Sequence, residues 1–222
     1  MAKAAQKIDT GEAVLGTAET LFAERGYAAV SLREIARTAG VAVSSISYHY
    51  GDKTGLLAAI YERHTRPMNA RRLELLGEAR RISARPDRLR AILRAYLLPA
   101  FSFSSDTAPG GGAQFTRLRA VLSAEGDPAT RRIIAEAFDT TTRTFIDAIL
   151  ECLPGAARED VVWRSQFLLG ALYYTLVNPE RIDRLSDGAL KGADHEAAVD
   201  ALVEAHLASL LALGPRVPRP AT

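Results

Sequence analysis

A single cysteine, Cys152, stands among 222 residues. An internal disulfide is therefore impossible, no cysteine-based zinc site can be assembled, and a reducing compartment, the cytoplasm, is expected. No apolar run is long enough to cross a bilayer: the longest, Phe167 to Val177, falls well short of the roughly 20 residues a spanning helix needs. The opening MAKAAQKIDTGEA carries no apolar signal core. Charge of one sign is also lacking. Lys and Arg number 28 against 26 Asp and Glu, and a net charge of +2 is too slight to mark a nucleic-acid binder by itself. There is no glycine-rich phosphate loop, no Ser/His/Asp grouping and no paired-carboxylate constellation, which argues against a small helical enzyme. His195 and His206 lie eleven residues apart with no acidic partner placed between them, so they read as packing residues; no metal and no cofactor are called for. No stretch alternates as a strand would, and nothing repeats.

What is present is helical. Hydrophobic residues make up 48% of the chain and recur at helical spacing between clusters of Gly and Pro, which predicts an all-α protein. Val14, Ala18, Leu21 and Phe22 form one face of a first helix over 9–25, and Gly26 suits the left-handed residue that ends it. SLRE places Ser31 and Glu34 as a capping box for a second, short helix with Leu32, Ile35, Ala36 and Ala39 inward and Gly40 at its end. A third helix follows over 43–50. Asp52 caps a fourth, which Pro67 is expected to interrupt or kink. Further helices are predicted near 85–103, 113–124, 128–153, 159–177 and 195–213. SSDTAPGGG reads as a flexible loop and GPRVPRPAT as an unfolded tail over 214–222.

Two short helices joined by a glycine-containing turn make the helix-turn-helix geometry, whose second helix lies in a DNA major groove. On 43–50, Ile46 faces inward and leaves Ser44, Ser45, Ser47, Tyr48 and His49 for base edges and phosphates. Small hydroxyl side chains allow close approach. Lys53 adds a cation near a helix N-terminus, itself a favourable phosphate site.

LFAERGYAAVSLREIARTAGVAVSSISYHYGDKTGLL resembles the DNA-binding domain of the TetR/AcrR family of bacterial transcriptional regulators across residues 12–64. The resemblance implies DNA contacts at Ser31 and Arg33 on the second helix, at Ser44, Ser45, Ser47, Tyr48 and His49 on the third, and a phosphate at Lys53. The chain departs from the usual pattern at Ala42, Val43 and Tyr50, where a capping hydroxyl, a basic residue and a phenylalanine are frequent. Fewer charges weaken phosphate anchoring, and Val43 is suited to a thymine methyl.

Residues 67–213, with FTRLRAVLSAEGDP and VVWRSQFLLGALYY, resemble the family's C-terminal domain more loosely. The resemblance implies a helical ligand-binding and dimerisation domain after the head at 9–64. The expected protein is a repressor that binds a palindromic DNA operator as a homodimer and is released by a small apolar or aromatic effector. Candidate pocket residues are Phe101, Phe103, Phe115, Phe138, Thr141, Phe145, Trp163, Gln166, Phe167 and Tyr174. The helices near 159–177 and 195–213 are expected to pair two copies, the second through Val199, Leu202, Val203, His206, Leu207, Leu210 and Leu211. Arg71, Arg72, Arg80, Arg81, Arg85, Arg88 and Arg90 read as a solvated face beside Glu74, Glu78 and Asp87, and His64 as a packing residue. Cys152 reads as a buried inert thiol, with a redox-responsive regulator as the alternative.

Overall fold

The computed structural model describes residues 10–104 and 112–213. Among these, ten helices and no strand are present: α1 (Thr10–Arg25), α2 (Leu32–Ala39), α3 (Val43–Tyr50), α4 (Lys53–Ala79), α5 (Arg85–Ser104), α6 (Gly112–Glu125), α7 (Pro128–Cys152), α8 (Arg158–Val177), α9 (Pro179–Leu185) and α10 (His195–Leu211). Asp9, residues 105–111 of the predicted loop, and the tail from Gly214 lie outside the described residues.

The short helices begin and end where local chemistry dictates. Ser31 caps α2 by accepting the Glu34 N–H at 3.2 Å, and Gly40 closes it at φ 69°, a left-handed geometry that costs most side chains energy. Only half of the predicted capping box forms. The Glu34 carboxylate turns to Arg25 rather than back to Ser31. Asp52 caps α4 by accepting the Gly55 N–H at 2.8 Å. Pro67 does not interrupt α4, which continues to Ala79. A proline costs a helix one hydrogen bond and a ring clash, and 27 residues of helix absorb that here.

The chain divides into two compact units, Met1–Arg66 with Ser104–Ala137, and Pro67–Phe103 with Phe138–Thr222. The first unit also takes in α6 and the start of α7. The reason lies in α6. Its Phe115 is buried edge-on to Tyr61, with ring centroids 5.1 Å apart, and stacks on His64 at 4.4 Å; Gln114 donates to the Thr20 hydroxyl at 2.5 Å. In this unit Val14, Ala18, Phe22, Ile35, Ile46, Leu56, Leu57 and Ile60 are fully or almost fully buried. The second unit buries Leu89, Ile92, Leu93 and Leu97 of α5, Phe145 and Ile149 of α7, Leu168 and Leu172 of α8 and Val199, Val203, Leu207 and Leu210 of α10. Its surface ties α5 to α10 through Arg90 with Glu204, and Arg94 with Glu196 and Asp200.

Candidate nucleic-acid interface and effector cleft

The third helix is held by few but well-placed contacts. Ile46 is wholly buried, worth about 2 kcal/mol of transfer free energy, and fixes which face of α3 is turned inward. The Tyr50 hydroxyl donates to the Gly11 carbonyl at 2.9 Å, so tyrosine at this departure from the family pattern gains a bond that phenylalanine cannot make. Gly55 completes the junction: a Cβ there would stand 2.1 Å from the Tyr50 carbonyl oxygen.

The opposite face is open. Val43, Ser44, Ser47, Tyr48 and His49 are exposed, Tyr48 at 86%, while Ser45 is half-buried. Tyr48 and His49 touch edge to face with centroids 5.2 Å apart, forming one aromatic ridge. Ala42 gives α3 no side-chain cap, in contrast to Ser31 on α2. On α2, Ser31 and Arg33 are exposed, and so are Arg37 and Thr38. Arg37 escaped the sequence reading, although its place one helical turn after Arg33 puts both cations on one face.

Lys53 differs from expectation. It is half-buried, its amine donates to the Val30 carbonyl at 2.7 Å and lies 4.1 Å from the centroid of the Tyr27 ring. Burial lowers its pKa, with Glu125 and Asp127 acting against that shift. Lys53 ties the start of α4 to Val30, the residue before the Ser31 cap of α2.

In the second unit a narrow apolar cleft with a cavity volume of about 20 Å³ lies among α5, α7 and α8, walled by Ile92, Tyr96, Phe145, Ile149, Leu168 and their neighbours. Its polar groups are Tyr96, Thr142 and Ser165. Tyr96 Oη and Thr142 Oγ1 are 3.2 Å apart, while the Ser165 hydroxyl donates to the Val161 carbonyl at 2.9 Å.

Of the predicted pocket residues, Phe145 stands on this wall. Phe101 is buried elsewhere, against His195 at 5.4 Å, and Phe138 and Thr141 are buried off the wall; Thr142, one residue on, supplies the hydroxyl instead. Phe115 belongs to the other unit. Trp163, Gln166, Phe167 and Tyr174 are exposed, because helical spacing puts them on the outer stripe of α8, with Leu168 and Leu172 inward. The Phe103 side chain lies outside the described residues.

On α10 the predicted pairing stripe is also corrected. Val199, Val203, Leu207 and Leu210 are core, and Leu202 and His206 are half-buried, with the His206 Nδ1 2.9 Å from the Leu202 carbonyl. The exposed residues of α10 are instead Ala197, Ala201, Ala205, Ala208 and Leu211, together with Glu196, Asp200 and Glu204, which pair with Arg94 and Arg90 of α5. Arg72, read as solvated, is 1% exposed. Cys152 is buried and burial pushes its thiol pKa up, which disfavours the thiolate a redox switch needs. No described helix is long and apolar enough to cross a membrane.

Comparison with known proteins agrees with this architecture. The family model described as tetracyclin repressor-like, C-terminal domain, matches residues 94–208, and that of bacterial regulatory proteins, tetR family, matches 14–60. The probable HTH-type transcriptional regulator YttP of Bacillus subtilis is 39% identical over 51 residues, and the HTH-type regulator AcrR of Shigella flexneri 39% identical over 54. These matches cover 23% and 24% of this chain and 25% of each relative, so the likeness spans about a quarter of their length. The fold of the TetR family regulator PfmR from Thermus thermophilus superposes with a TM-score of 0.58 at 17% identity, covering 91% of this chain and 96% of that one. SmeT in complex with triclosan gives 0.63 at 18% identity, covering 96% and 99%. Regulators of this kind are DNA-binding transcription factors rather than enzymes. An all-helical chain with a helix-turn-helix head and a helical C-terminal domain, matched over most of its described length, belongs to the TetR/AcrR family of transcriptional regulators.

Proposed function

We propose that the protein is a cytoplasmic repressor that binds an inverted-repeat DNA operator as a homodimer and leaves it when a small effector enters the second unit. The observation that carries the DNA reading is the split of α3, with Ile46 wholly buried and Ser44, Ser47, Tyr48 and His49 outward. Ser44 and Ser47, one turn apart, suit base edges. Tyr48 and His49 suit the flanking backbone, and the uncapped N–H groups of α3 suit a phosphate. Arg33, Arg37 and the Ser31 hydroxyl extend the contact along α2. Lys53 acts chiefly by holding the start of α4, with its remaining protons available to a phosphate.

The homodimer reading rests on α8. Trp163, Phe167 and Tyr174 are 60%, 54% and 56% exposed, with Gly170 between them on the same stripe. Such a continuous aromatic face is costly in water, and a small residue at its centre lets two helices approach closely. The alanine face of α10 extends it. The effector reading rests on the fold relative SmeT, solved with triclosan, and requires the α5–α7–α8 cleft, of about 20 Å³, to widen around the ligand.

Selection of bound duplexes from random DNA tests the proposal. The expected result is two half-sites in inverted orientation, centred about one helical turn, roughly 34 Å, apart or a multiple of it. Recovery of unrelated sequences would end it.

A further inference from the structure

Beside the C-terminal end of α8, the second unit holds a cavity of about 460 Å³ between α8, α9, the segment 186–194 and α10. It lies apart from the narrow α5–α7–α8 cleft, and its volume is within the roughly 300–1,000 Å³ that small-molecule sites occupy. Local bonds hold its outer wall. Gly192 donates its N–H to Asp183 Oδ1 at 2.6 Å and packs so closely on the start of α9 that a Cβ there would stand 1.9 Å from the Pro179 carbonyl oxygen. Leu190 donates its N–H to the Ser186 hydroxyl at 3.0 Å, and Asp194 caps α10 by accepting the Ala197 N–H at 3.1 Å. The cavity is thus built into the fold.

Its walls define what fits. Ile182, Leu190 and Leu202 line the space with aliphatic surface, and Gly192, Ala198 and Ala201 make room between them. Ile182 and Leu190 are 38% and 59% exposed, so a guest would remove from water apolar area that the chain by itself leaves wet. Charges of both signs stand here, and each is answered within the chain: Lys191 Nζ lies 3.9 Å from Asp183 Oδ2, and Asp194 serves as the cap of α10. A carboxylate brought to Lys191 would meet Asp183 and Asp194, while an amine would meet Lys191. A ligand charge of either sign is therefore opposed, and it loses its hydration on entry.

One polar group is left over. Thr175 of α8 is half-buried and lines the cavity, and its hydroxyl makes no hydrogen bond among the described residues. Other helical hydroxyls of this chain, those of Thr65, Thr144 and Ser165, donate to the carbonyl four residues back.

We propose that this cavity is a second ligand site, for an uncharged, compact apolar molecule bearing one hydrogen-bonding group that meets the Thr175 hydroxyl. It goes beyond the effector reading, which concerns the α5–α7–α8 cleft.

The test uses the full chain with two size-matched series: 1-adamantanol, 1-adamantanecarboxylate and 1-adamantylamine, and 1-octanol, octanoate and octylamine. Calorimetry and thermal shift are measured for wild type, Ala198→Trp and Thr175→Val. The alcohols should bind wild type at least about tenfold tighter than the acids or the amines. Ala198→Trp places an indole in the cavity and should abolish alcohol binding. Thr175→Val keeps the shape of the side chain and should weaken the alcohols about fivefold, the worth of one neutral hydrogen bond; it decides the matter should Ala198→Trp fail to fold. Acids or amines binding as well as the alcohols would overturn the inference. So would a wild type that binds neither alcohol, as when a second copy of the chain fills the cavity with a side chain of its own. Alcohol binding that both variants leave unchanged places the ligand elsewhere, which ends this site and leaves the effector reading standing.

Discussion

His64 Nε2 lies 3.0 Å from Oε2 of Glu19, a carboxylate wholly excluded from solvent between α1 and α4, and the same imidazole stacks on Phe115 of α6. Arg63 also reaches that oxygen. Three helices of the first unit thus meet at one buried carboxylate. Glu19→Ala leaves a buried imidazole and part of a guanidinium without their acceptor, and should cost about 3–5 kcal/mol in urea unfolding. A loss under 1 kcal/mol, that of a surface pair, would contradict the geometry.

On the recognition helix, affinity and specificity should separate. Tyr48→Ala removes a neutral flanking contact and should weaken binding to all duplexes alike, with little change in salt dependence. Ser44→Ala and Ser47→Ala should change which bases are preferred at their positions, by an amount near 1 kcal/mol, with little change in salt slope. Salt-titrated anisotropy on a panel of single-base operator variants reads both. Arg37→Ala should likewise weaken all duplexes but, by removing a cation, should also flatten the salt dependence.

The corrected faces of α8 and α10 make opposite predictions. Leu207→Ala empties a core position and should lower stability by about 2–5 kcal/mol, whatever the oligomeric state. Phe167→Glu alters an exposed aromatic and should give a folded monomer. Sedimentation combined with thermal melting distinguishes them: a Leu207→Ala monomer of undiminished stability, or an unchanged Phe167→Glu dimer, would exchange the roles of the two helices.

Cys152 should resist thiol reagents in the native protein at neutral pH and react once urea unfolds it. Because burial raises its pKa, the folded state keeps the proton after the unfolded chain has released it. Its contribution to stability is therefore complete below the ordinary thiol range and declines as pH rises through and beyond it. Cys152→Ser should leave DNA binding unchanged under oxidising and reducing conditions alike. Oxidation-dependent release abolished by that variant would restore the redox alternative.

The local features of the fold were legible because local chemistry produces them. Ser31, Gly40 and Asp52 begin or end helices through bonds to residues at most four positions away, and Ile46 shows its role by spacing alone. Which side of a long helix is interior was not. Leu207 and Trp163 each sit on an apolar stripe, yet one is core and the other exposed, and the difference depends on partners far along the chain. Aromatic content likewise marked Phe115 and Phe101 without saying which unit or cavity they enter. Arg72 was misread for a related reason: its neighbours Arg71 and Glu74 form a surface pair, whereas its own partner is Tyr96 on another helix. Short α9 lacked enough turns to show a period.

The central claim is sequence-specific DNA recognition by α3, and one experiment tests it most directly: anisotropy titration of wild type against the selected inverted repeat and a scrambled duplex of equal length, at several salt concentrations. Affinity for the inverted repeat should be at least roughly a thousandfold higher at physiological salt, with both duplexes weakening as salt rises. Equal affinity for the two duplexes at every salt concentration would contradict it.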